Sequence, residues 1–437
     1  MRLNYFKKEE LEARRNLFES KLDDFSITLL FSGVSKKETA DETYYFSVNR
    51  NFYYLTQIDQ EDSILMIVKT PNELSEYLFV LPYNELKEKW FGIRLKDFEA
   101  RELSGINNIL YQDTFESKFQ LVLDELSKLS SKVIINLDLE RENKIAESYT
   151  THELKRDLLE KYNNIEIKDI YGTIIEQRMV KSHAEIEQIK AAIRTTRNGL
   201  DKILLNIKPG LYEYQLSGLF EYSLKDQGNF RTSFNTIAAS GKNATILHYP
   251  NPESILKEDE LMLFDLGSQY LHYCSDISRT YPISGKYNEL QSKVYTAVLN
   301  CNKLVINSIC PGKTIKELQE IAIKSLTQSL KDLGLISEDK DYIKYYFHNV
   351  SHHLGLDTHD PSFREKPLEE GNVITVEPGL YIKEYGIGVR IEDDILVTES
   401  GNINLSEGIV KEIKDIEKLI ASREKYKIWA KSYIKIL

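Results

Sequence analysis

At 437 residues, 41% of them hydrophobic, the chain can bury ample core and divide into about two or three domains of ordinary size. Its 68 acidic against 57 basic residues give a net charge of −11 with no basic stripe, which excludes the electrostatic footprint of a nucleic-acid binder. Nowhere do about 18 apolar residues run together, the first residues lack the apolar core of an export signal, and Cys274, Cys301 and Cys310 show no CxxC spacing. The expectation is a cytoplasmic protein with no membrane segment and no disulfide framework.

In chain order, residues 1–172 read as an α/β layer domain. Ile27-Thr-Leu-Leu-Phe-Ser32, Asn51-Phe-Tyr-Tyr-Leu55, Ser63-Ile-Leu-Met-Ile-Val68 and Tyr77-Leu-Phe-Val-Leu81 read as buried strands, with helical patterns near 8–22, 115–130 and 142–161. A boundary is expected at Tyr171-Gly172, taken as a strand end, so that the second domain runs from 173 to 437. Met179 to Ile189 then opens an amphipathic helix, with Ser182 and Glu185 at capping-box spacing.

Residues 261–285, LMLFDLGSQYLHYCSDISRTYPISG, read as a hairpin in which one apolar run ends at Asp265-Leu-Gly267 and a second extended run carries Asp276. Alternation places Cys274, Asp276, Ser278 and Thr280 on one face. The arrangement recurs. Val373-Ile-Thr-Val-Glu377-Pro-Gly379 is an apolar strand ending in an acid, and Gly388-Val-Arg390-Ile-Glu392-Asp393-Asp394 follows a Gly-containing turn, with Arg390, Glu392 and Asp394 on one strand face. The two acid pairs fit an old duplication of one half-domain.

Between the pairs, Phe347 to Asp360 holds four of the chain's eight histidines: His348, His352, His353 and His359. Carboxylates at apolar strand ends are costly unless cations or donors compensate them, and divalent metal is the simplest compensation. One imidazole with four carboxylates is a hard, oxygen-rich set that suits manganese ahead of zinc, although cobalt, iron and zinc also fit it. Beyond Thr398-Glu-Ser-Gly401 the tail, from about 408, reads as a charged amphipathic helix followed by a basic-aromatic end, Lys425 to Tyr433, expected to pack on the domain or on a neighbouring subunit, with binding to a membrane surface the alternative.

The order and spacing of DLG, SDISRT, SHHLGLDTHD, TVEPGLY and GVRIEDD, over roughly residues 180–400, resemble the pita-bread metallopeptidases, and among them aminopeptidase P. The resemblance implies an α+β, creatinase/aminopeptidase-like catalytic domain. Phe52-Tyr-Tyr-Leu-Thr56 and Trp90-Phe-Gly-Ile-Arg94 resemble the smaller α/β creatinase-type N-terminal domain found in aminopeptidase P, prolidase and creatinase. It further implies two divalent ions, with Asp265 on one, Asp276 and Glu392 bridging both, and His352 and Glu377 on the other.

Under the same resemblance Glu377 also shuttles a proton, His359 meets the scissile carbonyl, Arg390 braces the ligand carboxylates, and His248, His348 and Tyr381 contact substrate. The implied reaction is release of the N-terminal residue from peptides with proline second, by a hydroxide generated between the ions. A proline-preceding bond is a tertiary amide with no N–H and a fixed ring, so it needs its own pocket. A homo-oligomer, dimer or tetramer, is expected. A prolidase restricted to dipeptides is the alternative, and a non-catalytic peptide-binding module is opposed by the intact ligand set. The large N-terminal domain disfavours methionine aminopeptidases, and the ligand set disfavours creatinase.

Overall fold

The computed structural model describes residues 6–140, 144–146, 148–229 and 231–422; the basic-aromatic end from Lys425 lies outside the described residues. Two compact units meet in the chain at Arg178/Met179. That is six residues past the expected division (178 against 172), because Tyr171 opens a helix instead of ending a strand. The helix is tied to its own unit: Gln177 Nε2 donates to the Arg14 carbonyl at 2.8 Å and Arg178 Nη1 to Asn51 Oδ1 at 2.7 Å.

The first unit is a six-stranded mixed sheet flanked by helices. Its elements are α1 (Lys8–Glu19), β1 (Ser26–Phe31), α2 (Arg50–Thr56), β2 (Ile64–Lys69), β3 (Leu74–Val80), α3 (Glu85–Phe91), α4 (Asp97–Ser104), β4 (Asn108–Tyr111), α5 (Phe115–Leu129), β5 (Val133–Leu137), β6 (Lys144–Ala146), β7 (Tyr149–Thr150), α6 (Thr151–Lys161), β8 (Ile165–Asp169) and α7 (Tyr171–Met179). The sheet runs β4-β3-β2-β1-β5-β8. Ile27, Leu29 and Phe31 of β1 pack with Phe119, Val122, Leu123 and Leu126 of α5.

Two expectations fail here. Asn51 to Leu55 lies in helix α2, started by Asn49 Oδ1 accepting from Phe52 N at 2.9 Å; every residue from Asn51 to Thr56 is buried, so the run shows no helical period. The helix expected from 142 begins only at Thr151, after the β6–β7 pair, where Thr150 and Glu153 form a capping box.

The second unit repeats one plan twice. Helices α8 (His183–Asn206) and α9 (Glu213–Asp226) precede the sheet β9 (Ile237–Ser240), β10 (Leu261–Leu266) and β13 (Ile277–Pro282), with the small hairpin β11 (Gln269–Tyr270) and β12 (Tyr273–Cys274) inserted. Helices α10 (Glu289–Asn307) and α11 (Ile315–Asp332) precede β14 (Val373–Val376), β17 (Asp393–Val397) and β18 (Asn402–Asn404), with the hairpin β15 (Gly379–Ile382) and β16 (Ile387–Arg390) inserted, and α12 (Ile413–Ala421) follows. The capping box predicted before α8 forms, Ser182 N donating to Glu185 Oε2 at 3.0 Å.

The repeat places the acids. Asp265 lies near the end of β10 and Asp276 just before β13, while Glu377 follows β14 and Glu392 just precedes β17. Both strand pairs are antiparallel, with Asp265 opposite Ser278 and Val376 opposite Asp393. The continuous strand expected through Arg390, Glu392 and Asp394 is broken: Arg390 ends β16, Asp394 belongs to β17 in another sheet, and Glu392 occupies the break. Gly267 of the DLG run is sterically required, since a Cβ there would stand 1.8 Å from the Ser275 carbonyl oxygen. No helix among the described residues is long and apolar enough to cross a membrane.

A buried ion network locks the two halves together. Arg279 of β13 donates through Nη2 to Asp393 Oδ1 at 2.8 Å, and Lys411 Nζ reaches Asp393 Oδ2 at 2.6 Å. Burial alone would raise the Asp393 carboxyl, but Arg279 and Lys411 outweigh it and hold the group well below the usual carboxylate range. Asp393→Asn therefore strands two cations in the interior, and it should cost about 3–5 kcal/mol by denaturant midpoint. A parental midpoint would show that the network contributes geometry without stability.

Candidate metal centre

One ligand atom each of Asp276, His352 and Glu392 lies within 4.8 Å of the other two. Asp276 comes from the break between β12 and β13, Glu392 from that between β16 and β17, and His352 from the segment between α11 and β14. His352 Nε2 stands 3.5 Å from Asp276 Oδ2 and 3.5 Å from Glu377 Oε1. Its Nδ1 lies 3.0 Å from the His353 carbonyl oxygen, which can only accept, so Nδ1 carries the hydrogen and Nε2 turns toward the acids. Asp265 Oδ2 accepts from Arg390 Nη2 at 2.6 Å; its Oδ1 is buried with no hydrogen-bond partner.

The electrostatics are those of a cation trap. Burial pushes the Asp265 carboxyl up to about 6, with Asp276 adding to the rise and Arg390 opposing it. Burial, then Asp276 and Asp265, push Glu377 up to about 7 against the pull of His352 and Arg390. Glu392 is driven well above the carboxylate range by burial and by Asp276 and Glu377. At His352 burial disfavours the charged ring, but the hydrogen bond to Asp276 and the charge of Glu377 overcome it and lift the imidazole to about 9. An environment that retains protons this firmly favours any divalent ion able to displace them. The donor set and the orphaned Asp265 Oδ1 fit such ions.

A family model for Metallopeptidase family M24 matches residues 187–399, and one for the Aminopeptidase P, N-terminal domain matches residues 11–130. The Xaa-Pro aminopeptidase of Haemophilus influenzae is 33% identical over 432 residues, covering 94% of this chain and 97% of that protein. The chain belongs to the aminopeptidase P family of pita-bread metallopeptidases. A candidate aminopeptidase P from Bacillus anthracis superposes with a TM-score of 0.92 at 40% identity, covering 96% of this chain and 99% of that one. Escherichia coli aminopeptidase P, solved with the inhibitor Pro-Leu, gives 0.88 at 29% identity, covering 97% of this chain and 100% of that one. The pita-bread catalytic domain and creatinase-type N-terminal domain implied by the motifs are those of this family.

Within this aminopeptidase P centre Arg390 is the hub. Besides Asp265 it donates through Nε to Ser278 Oγ at 2.7 Å and through Nη1 to the Tyr381 hydroxyl at 3.0 Å, and Ser278 Oγ in turn donates to Glu392 Oε2 at 2.8 Å. One guanidinium thus orients ligand candidates from both halves of the repeat. The Tyr381 hydroxyl, buried, also lies 2.8 Å from His348 Nε2. Since His348 Nδ1 faces the Asn349 carbonyl at 2.8 Å, Nε2 is the acceptor and Tyr381 the donor.

His348 Nδ1 is also 3.8 Å from Glu377 Oε2, and burial with the charge of Arg390 lowers the ring to about 4, keeping it neutral. The His359 ring meets that of His352 edge to face, centroids 4.4 Å apart, and burial and the His352 charge lower its pKa. His248 is exposed on the loop after β9, near enough for its charge to bear on both His348 and His359.

Four further residues support the site. Ser278 bridges Arg390 and Glu392; Thr375 Oγ1 accepts from His352 N at 3.2 Å; Gln319 of α11 holds Val350 N at 2.6 Å and the His348 carbonyl at 3.1 Å; and Asp394 Oδ2 accepts from Asp276 N at 3.2 Å. Strand alternation signals Ser278, which shares the face of Asp276. Nothing in the sequence signals Gln319. Arg390→Lys keeps the charge, but one ammonium cannot serve Asp265, Ser278 and Tyr381 together. Metal affinity should fall about 10- to 100-fold in calorimetric titration, and an unchanged affinity would remove Arg390 from the brace.

Proposed function

We propose that the chain is a metal-dependent Xaa-Pro aminopeptidase, a hydrolase releasing residue one from peptides whose second residue is proline. The observation that carries this reading is the convergence of Asp276, His352 and Glu392 within 4.8 Å, in a chain aligned with 97% of a Xaa-Pro aminopeptidase. Asp265 would hold one divalent ion, Asp276 and Glu392 would bridge two, and His352 and Glu377 would hold the second, with manganese best matched to so oxygen-rich a set. When bound, the ions supply Lewis acidity, making water more acidic and drawing charge from the carbonyl.

The chain's own residues do the rest. Glu377 takes the proton of the attacking water and gives it to the prolyl nitrogen, which departs as an amine once the carbon–nitrogen bond breaks. His359, kept neutral by its lowered pKa, donates an N–H to the carbonyl oxygen as negative charge gathers there. Exposed His248 and neutral His348 flank the approach of the prolyl residue, and none of these contacts requires the backbone N–H that proline lacks.

Self-association in the cytoplasm belongs to the same reading. Leu86, Trp90, Phe91 and Ile93 lie within eight consecutive residues and are 67–85% exposed, an apolar cluster that a second copy would cover. The free thiols of Cys274, Cys301 and Cys310 support a reducing compartment. Light scattering returning the mass of a single chain would remove the self-association.

The manganese-loaded protein should cleave an X-Pro-Y tripeptide at its first bond. No hydrolysis, with metal content verified on the same sample, would sink the assignment, and cleavage of X-Pro dipeptides alone would make the chain a prolidase. Asp276→Asn and Glu392→Gln should each lower turnover at least about 100-fold while the fold survives. His359→Ala should retain metal and lose about 10²–10³-fold in kcat.

Stripping the metal should lower the midpoint of thermal unfolding, since an ion at about 100 times its Kd adds about 2.7 kcal/mol to the folded state. Identical midpoints with and without manganese would show that these residues do not bind it.

A further inference from the structure

The segment that supplies His352 and His359 also contains Gly355, Asp357 and Asp360, none of which has a part in the chemistry above. Together they close a compact loop. Asp360 N donates to the His353 carbonyl at 2.9 Å, Gly355 N to the Asp357 carbonyl at 3.1 Å, and Asp357 N to Asp360 Oδ1 at 3.2 Å. The other carboxylate oxygen, Asp360 Oδ2, meets Lys181 Nζ at 3.1 Å, with both side chains only 1% exposed.

Lys181 enters from a distant part of the chain, two residues before α8. Its backbone N donates to the Gly371 carbonyl at 2.8 Å and its Nζ also faces the Met179 carbonyl at 3.4 Å, so the ammonium is delivered from a fixed backbone. The fit leaves no slack. A Cβ on Gly355 would stand 2.5 Å from Asp360 Oδ2 and 3.0 Å from Lys181 Cε, which explains why that position of the motif holds glycine.

Two opposite charges desolvated to this depth gain little stability over an apolar pair of the same shape. What they do supply is geometry. The loop they close runs from His353 to Asp360, and the residues immediately flanking those ends on the outer and inner side are His352 and His359, whose rings lie edge to face at 4.4 Å. Closing the loop therefore fixes where the chain brings the His359 ring back beside that of His352.

We infer that the buried Lys181–Asp360 ion pair is a positioning device for His359: it fixes the loop that holds this imidazole against His352 and thereby places its N–H at the scissile carbonyl. The side chains of the pair meet each other, the Met179 carbonyl and Asp357 N, and the effect inferred for them runs through His359. The inference rests on the role given to His359 in the proposed function, and it adds two residues to the determinants of turnover that no ligand motif contains.

The test is a double variant, Lys181→Met with Asp360→Asn, which removes both charges at nearly constant shape and leaves neither unpaired. Metal content and KM for an X-Pro-Y peptide should match the parent while kcat falls about 100-fold, the scale of a displacement of about 1 Å in a catalytic group. In the metal-free protein, amide hydrogen exchange across 353–360 should accelerate selectively. In a His359→Ala background the same double variant should cause no further loss, because the pair acts through a ring that is already absent.

A parental kcat for the double variant, or an equal fold-loss with and without His359, would overturn the inference. Parental turnover by His359→Ala alone would instead overturn the role of His359, and the inference with it, so the two failures are distinct. If the double variant does not fold, Asp360→Asn alone carries the same comparisons, since a buried lysine left without its partner can shed its proton.

Discussion

The second unit is organised around a concentration of negative charge at strand ends that the protein does not neutralise with its own cations. Asp265, Asp276, Glu377 and Glu392 share a largely buried site with one guanidinium, that of Arg390, and the imidazole of His352. In a low dielectric such an assembly either holds protons or binds multivalent cations. The upward displacement of Asp265, Glu377 and Glu392 and of the His352 ring expresses that choice. The repeated helix-helix-sheet plan makes the concentration possible, since each half carries one acid at the end of its first long strand and one just ahead of the second.

Adjacent residues show how finely the surroundings divide the labour. Glu392 and Asp393 are both buried, yet Asp393 is held well below the carboxylate range by Arg279 and Lys411 while Glu392 is driven far above it. Asp393 is structural because protein cations already compensate it. Glu392, one residue earlier and turned the other way, faces Asp276 and Glu377 and is left for an external ion. The same sorting applies to the histidines: carbonyl acceptors at His352 Nδ1 and His348 Nδ1 each hold an N–H, so the first ring turns Nε2 to the acids and the second accepts from Tyr381 through Nε2.

The ligand candidates are legible in the sequence because an acid closing an apolar strand is a local pattern, readable from a few neighbours. The faces are legible only in part. Alternation puts Ser278 and Asp276 together, but it fails through Arg390, Glu392 and Asp394, where the inserted β15–β16 hairpin ends one sheet and β17 begins another. Residues 51–55 mislead for a different reason: a short helix buried on every side has no polar face to betray its period. The supporting groups are illegible because their partners are remote, Ser278 and Glu392 being 114 residues apart and Lys181 and Asp360 179.

Charge compensation also separates the acids that shape the site from those that hold its ions. Asp393 with Arg279 and Lys411, and Asp360 with Lys181, are pairs complete within the chain, and each lies directly behind a residue that faces the reaction, Glu392 and His359 respectively. Completed pairs tie a carboxylate through both oxygens or through backbone amides, so they transmit position without competing for a ligand. Asp394 stands between the classes: it has the burial and the proton-retaining environment of a ligand, yet its Oδ2 accepts from the backbone N of Asp276. That single bond makes it a brace for a ligand's backbone, and its second oxygen is buried without a hydrogen-bond partner. Asp276 therefore has its backbone held by one acid that the fold fixes, while its own carboxylate belongs to the set left open to an ion.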